Sequence, residues 1–179
     1  LFGVVPSAPE TGYGYIRRGA ELLTDLHRVD EFVEKPNYDI ACQYIADGDY
    51  LWNSGMFMFS AKDYLEALQA YSKSIYDSCH EAYQTLVREQ EFARLSEEAF
   101  SRCPSNSIDY AVMEHTAAAV VMSLNAGWND VGSWSSLWAI GDKDEHGNVL
   151  RGDVLIEDTR NTYVRAEHRL VSTLGVDDL

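Results

Sequence analysis

Between residues 62 and 103 the side chains Leu65, Leu68, Tyr71, Ile75, Cys79, Tyr83, Leu86, Phe92 and Leu95 recur at intervals of three to four, with Asp, Glu, Lys, Arg and Gln between them. That period predicts amphipathic helices. A helix with one apolar stripe needs a second layer to bury it against. The flanking sequence offers one, because the short apolar runs 1–5, 29–33 and 56–59 read as strands and 40–46 as a short helix stopped by Asp47-Gly48. Past Cys103-Pro104 come a helical turn at 108–115, a strand at 119–124, a Gly-Trp loop at 126–133 and a short helix at 134–140. Strands alternating with helices predict an α/β layered sheet. From Asn148 onward the pattern is short β-rich pieces, 154–156, 162–164 and 170–174, punctuated by residues 158–161 and Gly175. These open a separate β element, so the chain divides into 1–146 and 147–179.

Charge narrows the function classes. With 29 acidic and 14 basic residues the net charge is −15, which argues against nucleic acid or an anionic membrane surface as partner, since both call for clustered Lys and Arg. The longest apolar run, 117–122, is far short of the ~20 residues that cross a bilayer. Cys42, Cys79 and Cys103 are an odd number at wide spacings, which fits free thiols in a reducing cytoplasm better than a disulfide framework or a metal clip. The amino end has neither an initiator Met nor a basic leader region, so the chain reads as an internal segment of a longer protein.

Four loop segments carry more Gly, amide, carboxylate and Trp than turns require. In residues 10–16 two glycines flank Tyr13, which lets backbone N–H and C=O groups come close to sugar hydroxyls or phosphate; an aromatic hairpin turn explains the same letters. Glu34 and Lys35 end an apolar run just before Pro36, where ligands bind in open α/β sheets. Adjacent strand residues point to opposite faces, so an ion pair between these two is not expected. Asn53-Ser54-Gly55 precedes the Met and Phe alternation of 56–59 and offers directional polar groups over an apolar floor, or simply a turn into a core strand. In 127–134 Asp130 stands between small residues, free to hold a hard cation or to be solvated while Ser133 caps the next helix.

Taken together and in order, residues 10–16 (ETGYGYI), 32–36 (FVEKP), 51–59 (LWNSGMFMF), 103–114 (CPSNSIDYAVME) and 126–134 (AGWNDVGSW) resemble the mannose-1-phosphate guanylyltransferases. That family includes enzymes forming the front half of a bifunctional protein with mannose-6-phosphate isomerase. The resemblance covers nearly the whole chain. It implies a nucleotidyltransferase α/β fold, a mixed sheet flanked by helices, followed by the start of a small β-helical element. It further implies that Gly14 and Glu34 face the sugar, that Lys35 meets the sugar phosphate and that Asn53 contacts mannose. Asp109 takes a supporting or sugar-side role, and Asp130 is one Mg²⁺ ligand.

The implied reaction of the parent protein is transfer of GMP from GTP to mannose 1-phosphate, giving GDP-mannose and pyrophosphate, with Lys35 and Asp130 as the catalytic residues. The family's Gly-rich triphosphate loop does not occur in these 179 residues, so this segment alone is expected to be inactive. It is also expected to expose an open sheet edge that leaves room for a homo-oligomer. His115 stands where the family favours Lys. Two other readings remain open: a non-catalytic sugar-phosphate-binding module, and a pyrophosphorylase for another hexose 1-phosphate.

Overall fold

In the computed structural model, which describes residues 1–179, the first unit, Leu1–Ala126, is built around strand residues that the chain hides completely. It runs β1 (Phe2–Val4), β2 (Tyr15–Leu23), β3 (Leu26–Val33), α1 (Tyr38–Asp47), β4 (Tyr50–Asn53), α2 (Ala61–Tyr71), α3 (Lys73–Gln84), β5 (Val87–Glu89), β6 (Phe92–Arg94), α4 (Glu97–Ser101), a π-helical turn (Asp109–Met113) and β7 (Val120–Leu124). Tyr15 and Ile16, at the start of β2, are wholly buried.

β2 pairs antiparallel with β3 on one side and β4 on the other, and the order continues to a closed ring, β1-β4-β2-β3-β7 and back to β1. Only the β1–β7 pairing is parallel. Closure depends on β3, which pairs with β2 along its length and with β7 through its first residues, Leu26–Arg28. Register shifts along the β2–β3 hairpin supply the bend. The sheet therefore has no open edge of the kind expected from the sequence, because β7 meets both β1 and β3.

One face of the ring carries the core. Ile16, Phe32, Leu51 and Val121 from the strands meet Leu68 of α2 and Ala111, Val112 and Met113 of the π-helical turn. The predicted amphipathic helices are thus α2 and α3, packed on a sheet. Their ends are set locally: Ser60 caps α2 through its side chain, and Asn37 caps α1, which stops at Gly48 with φ of +78°. Three expectations shift. Residues 56–59 form no strand, because Gly55 at φ +72° turns the chain away once β4 has finished pairing with β1. Within the expected helical stretch, 87–94 is a two-stranded hairpin turning at Gln90, φ +51°. Its Val87 and Phe92 are exposed, so their apolar spacing serves no helix. The helical turn expected at 108–115 is the wider π-helical Asp109–Met113, closed by Glu114 N–H donating to Asp109 O five residues back at 3.0 Å.

The second unit, Gly127–Leu179, holds α5 (Trp134–Ile140), β8 (Val149–Arg151), β9 (Val154–Glu157), β10 (Tyr163–Arg165) and β11 (Val171–Leu174). β8 pairs in parallel with β10 and β9 with β11, the stacking of successive coils in a β-helical element. The turns expected at 158–161 and Gly175 are present, with Asp158, Asn161 and Gly175 all at positive φ. α5 packs on β10, and the Trp138 indole donates to Gly147 O at 2.8 Å. Asn148, only 1% exposed, ties the coils together. Its amide donates to Thr159 O at 2.8 Å and to Asp144, and its oxygen accepts from Thr162 N–H at 3.1 Å.

Asn148→Ala should therefore destabilise the second unit by about 2–4 kcal/mol, since it leaves a buried N–H and a buried C=O unpaired. Urea denaturation monitored through tryptophan fluorescence checks this; a change under about half a kcal/mol would mean water replaces the amide.

Candidate functional site

Strand register assembles the site. Tyr15 lies opposite Val33 of β3 and opposite Trp52 of β4. One residue further out, Gly14, Glu34 and Asn53 therefore leave the sheet together, where β2 begins and β3 and β4 end. Asn53 N–H donates to Gly14 O at 2.7 Å. The absent side chain of Gly14 is required by space: a Cβ there would lie 2.5 Å from Glu34 Oε2 and 3.1 Å from Asn53 Cβ.

Glu34 is the most unusual group. Its side chain is 8% exposed, and Oε2 is buried with no hydrogen-bond partner. Oε1 accepts the Lys35 ammonium at 3.0 Å. Burial pushes the Glu34 carboxyl above the usual carboxylate range, with Lys35 pulling it down and the negative charge of Asp109 adding to the rise. Lys35 is raised in turn, chiefly by its contact with Glu34. This ion pair departs from the expectation for adjacent strand residues. β3 ends at Val33, and Lys35 adopts φ of +48°, which breaks the alternation and swings the ammonium round to the same side. The ammonium itself remains mostly in solvent.

The π-helical turn supports both strand ends. Asp109, its first residue, accepts from Asn53 Nδ2 at 3.0 Å, while Asn53 Oδ1 accepts from Gly55 N–H at 3.1 Å. The Asn53 amide is thereby fixed with one N–H and one lone pair to spare. Glu114, just past the turn, accepts from Glu34 N–H at 3.2 Å and holds the backbone that carries Glu34 and Lys35. No role for Glu114 was legible in the sequence beyond its closing the SIDYAVME run. Chemically the group offers a buried carboxylate acceptor, a fixed amide and an exposed cation, a set suited to hydroxyls with an adjoining anion.

Gly14, Glu34, Lys35, Asn53 and Asp109, all singled out from the sequence, therefore stand in one cluster of the first unit. Asp130 belongs to the second unit. It is exposed in a loop where Val131 has φ of +51° and donates its N–H to Asn129 Oδ1 at 2.8 Å. Gly132 keeps that loop open, since a Cβ there would lie 2.8 Å from Asp130 Oδ2. Ser133 accepts from Ser136 N–H and is the N-cap of α5. The chain has no group of three or more His, Cys, Asp or Glu side chains arranged to hold a metal.

The sequence profile of the nucleotidyl transferase family matches residues 1–147. The putative mannose-1-phosphate guanylyltransferase of Vibrio cholerae serotype O1 is 51% identical over 178 residues, covering 99% of this chain and 38% of the relative. The mannose-1-phosphate guanylyltransferase of Escherichia coli strain K12 is 53% identical over 182 residues, again covering 99% and 38%. Among solved structures, one described as a mannose-1-phosphate geranyltransferase from Thermus thermophilus superposes with a TM-score of 0.83 at 34% identity, over 98% of this chain and 50% of its own. A mannose-6-phosphate isomerase from Helicobacter pylori gives 0.66 at 34% identity, over 72% and 51%. The chain thus spans 38% of the length of the curated relatives it matches.

A carboxyl held above its unfolded value binds its proton more tightly in the folded state, so its contribution to stability is present below the unfolded pKa and is lost as pH rises through the folded one. Glu34→Gln should therefore gain stability relative to the native chain between about pH 4 and about pH 7. Urea midpoints at the two pH values test this; an equal difference at both would show an ordinary carboxylate.

Proposed function

The chain belongs to the nucleotidyl transferase family, and we propose that the whole protein transfers GMP from GTP to mannose 1-phosphate, forming GDP-mannose and pyrophosphate. Support comes from relatives of that name at about half identity. The single observation in the chain that carries the sugar-phosphate reading is the unpartnered, buried Oε2 of Glu34, set between Gly14 and Asn53 and beside the exposed Lys35.

In this reading Glu34 Oε2 accepts a sugar hydroxyl, which satisfies the one polar atom the site leaves unpaired. The fixed amide of Asn53 reads a neighbouring hydroxyl, and Asp109 holds that amide without touching the reacting atoms. Lys35 turns from Glu34 to the sugar phosphate and neutralises it. A phosphate oxygen of that substrate attacks the α-phosphorus of GTP in line and pyrophosphate leaves, so no enzyme nucleophile is needed. The chain's share of catalysis is positioning and charge neutralisation.

Mg²⁺ is bound in many phosphate-handling enzymes by one or two carboxylates together with substrate phosphates and water. A lone, exposed Asp130, with space cleared by Gly132, fits that mode and would hold the ion. Such an ion offsets negative charge on the phosphates. We assign residues 1–146 to the sugar-phosphate-binding part and 147–179 to the β-helical domain. The working compartment is the reducing cytoplasm, in keeping with three free thiols and with no helix long and apolar enough to cross a membrane.

Pyrophosphate release with GTP, Mg²⁺ and mannose 1-phosphate, measured on the longest reading frame that contains this chain, tests the reaction. Inactivity with mannose 1-phosphate alongside activity with another hexose 1-phosphate would overturn the substrate. In the same assay Lys35→Ala should lower kcat/KM for mannose 1-phosphate roughly 10- to 100-fold while leaving KM for GTP unchanged, the loss expected for one charge-assisted phosphate contact of about 1.5–3 kcal/mol. Asp130→Asn should raise the Mg²⁺ concentration needed for half-maximal rate, because the amide keeps the shape and loses the charge; an unaltered metal titration would make Asp130 a turn residue.

A further inference from the structure

The cysteines, left out of the reaction, are not equivalent. Cys79 lies in the middle of α3 and Cys103 two residues beyond α4, 24 positions apart in sequence, yet their sulfurs are 3.9 Å from each other. The third, Cys42 of α1, has Tyr38 as its neighbour instead. Helices α3 and α4 pack together, and Arg102, next to Cys103, is ion-paired with Glu81 of α3. The two thiols are thus held in proximity by structure on both sides. Cys79 also lines a largely apolar cavity of about 360 Å³ with Leu65, Leu68, Tyr76, His80 and Tyr83.

We propose that Cys79 and Cys103 are a redox pair that closes to a disulfide when the chain meets hydrogen peroxide. One thiol loses its proton to water, and its thiolate attacks a peroxide oxygen. The O–O bond breaks, hydroxide leaves and takes up that proton, and the sulfur becomes a sulfenic acid. The second sulfur then attacks the first and the S–O bond breaks, with the second thiol's proton leaving in water. In sum, two thiols and one peroxide give one disulfide and two waters. Each sulfur gives up one electron and the peroxide gains two.

Bond formation requires the sulfurs to close from 3.9 Å to about 2.05 Å. The movement falls to Cys103, which sits in a turn followed by Pro104 and the exposed Ser105 and Asn106, rather than to Cys79 within its helix. Burial, with the Cys79 contact adding to it, holds the Cys103 thiol above its ordinary range, so the reaction should quicken with rising pH. Once closed, the bond ties to α3 the segment that runs from Cys103 into Asp109, and with it the support of Asn53. This pairing is independent of which reaction the protein performs. Transient, sensing disulfides of this kind are the sort found in reducing compartments.

The test is oxidation of the reduced, purified chain with hydrogen peroxide, followed by iodoacetamide and mass spectrometry. The expected result is a mass lower by two hydrogens before labelling, a single alkylated thiol at Cys42, and one cross-linked peptide joining Cys79 to Cys103, all reversed by dithiothreitol. Cys42→Ser should still form the disulfide and take no label. Cys103→Ser should lose the cross-link and leave two sulfurs without an intramolecular partner. Oxidation in urea should scatter the pairing over all three cysteines. Three alkylated thiols after peroxide, sulfinic acid without cross-link, a bond to Cys42 in the folded chain, or the same pairing in urea would each overturn the proposal.

Discussion

The register of the two strands that flank β2 is the constraint on which the first unit depends. Because Tyr15 is fixed opposite both Val33 and Trp52, the residues one step outside the sheet are fixed too, and they are Gly14, Glu34 and Asn53. A slip of one residue in either ladder would bury a different set and turn the carboxylate away from the amide. The same register is enforced on both faces of β2 by the complete burial of Tyr15, against Tyr44, and of Ile16, in the core. Core packing and the geometry of the Gly14, Glu34 and Asn53 cluster are therefore not separable here, since one set of hydrogen bonds serves both.

Electrostatically the cluster is divided. Glu34, Asp109 and Glu114 gather negative charge around a single ammonium, Lys35, in a chain whose net charge is already −15. Any anion approaching such a surface is repelled nearly everywhere and meets one exposed cation of the cluster, Lys35. The burial that raises the Glu34 carboxyl works against folding at neutral pH and leaves Oε2 without a partner, the kind of local cost that functional groups retain.

Much of this was legible in the sequence. The FVEKP run placed Glu34 and Lys35 at a strand end, and residues 158–161 and Gly175 marked the turns between the short strands of a separate β element, whose β-helical form only the family resemblance implied. What escaped did so for physical reasons. β2 carries charges along its exposed half and shows no period of two, while Tyr50, Leu51 and Trp52 of β4 are buried in succession, so neither gave the alternation that marks a strand. The Glu34–Lys35 pair rests on the positive φ of Lys35, a backbone choice that residue type does not announce. Glu114 reaches Glu34 across 80 residues, a separation no local pattern reports.

The closed ring also governs how the molecule can come apart. In an open sheet an outer strand frays by breaking one ladder; here β1, β2, β3, β4 and β7 each have a neighbour on both sides, so releasing any one of them breaks two. Where both ladders are present, as at Tyr15–Arg17 of β2, local opening is then nearly as costly as opening the whole, whereas the far half of β2, paired with β3 alone, opens by breaking one. The β5–β6 hairpin has no third strand and an exposed surface, so its amides exchange through small, frequent openings. Between these extremes lies the π-helical turn, packed on the ring through Ala111, Val112 and Met113, and the cluster at Gly14, Glu34 and Asn53 inherits its rigidity from the end of β2 that is paired on both sides.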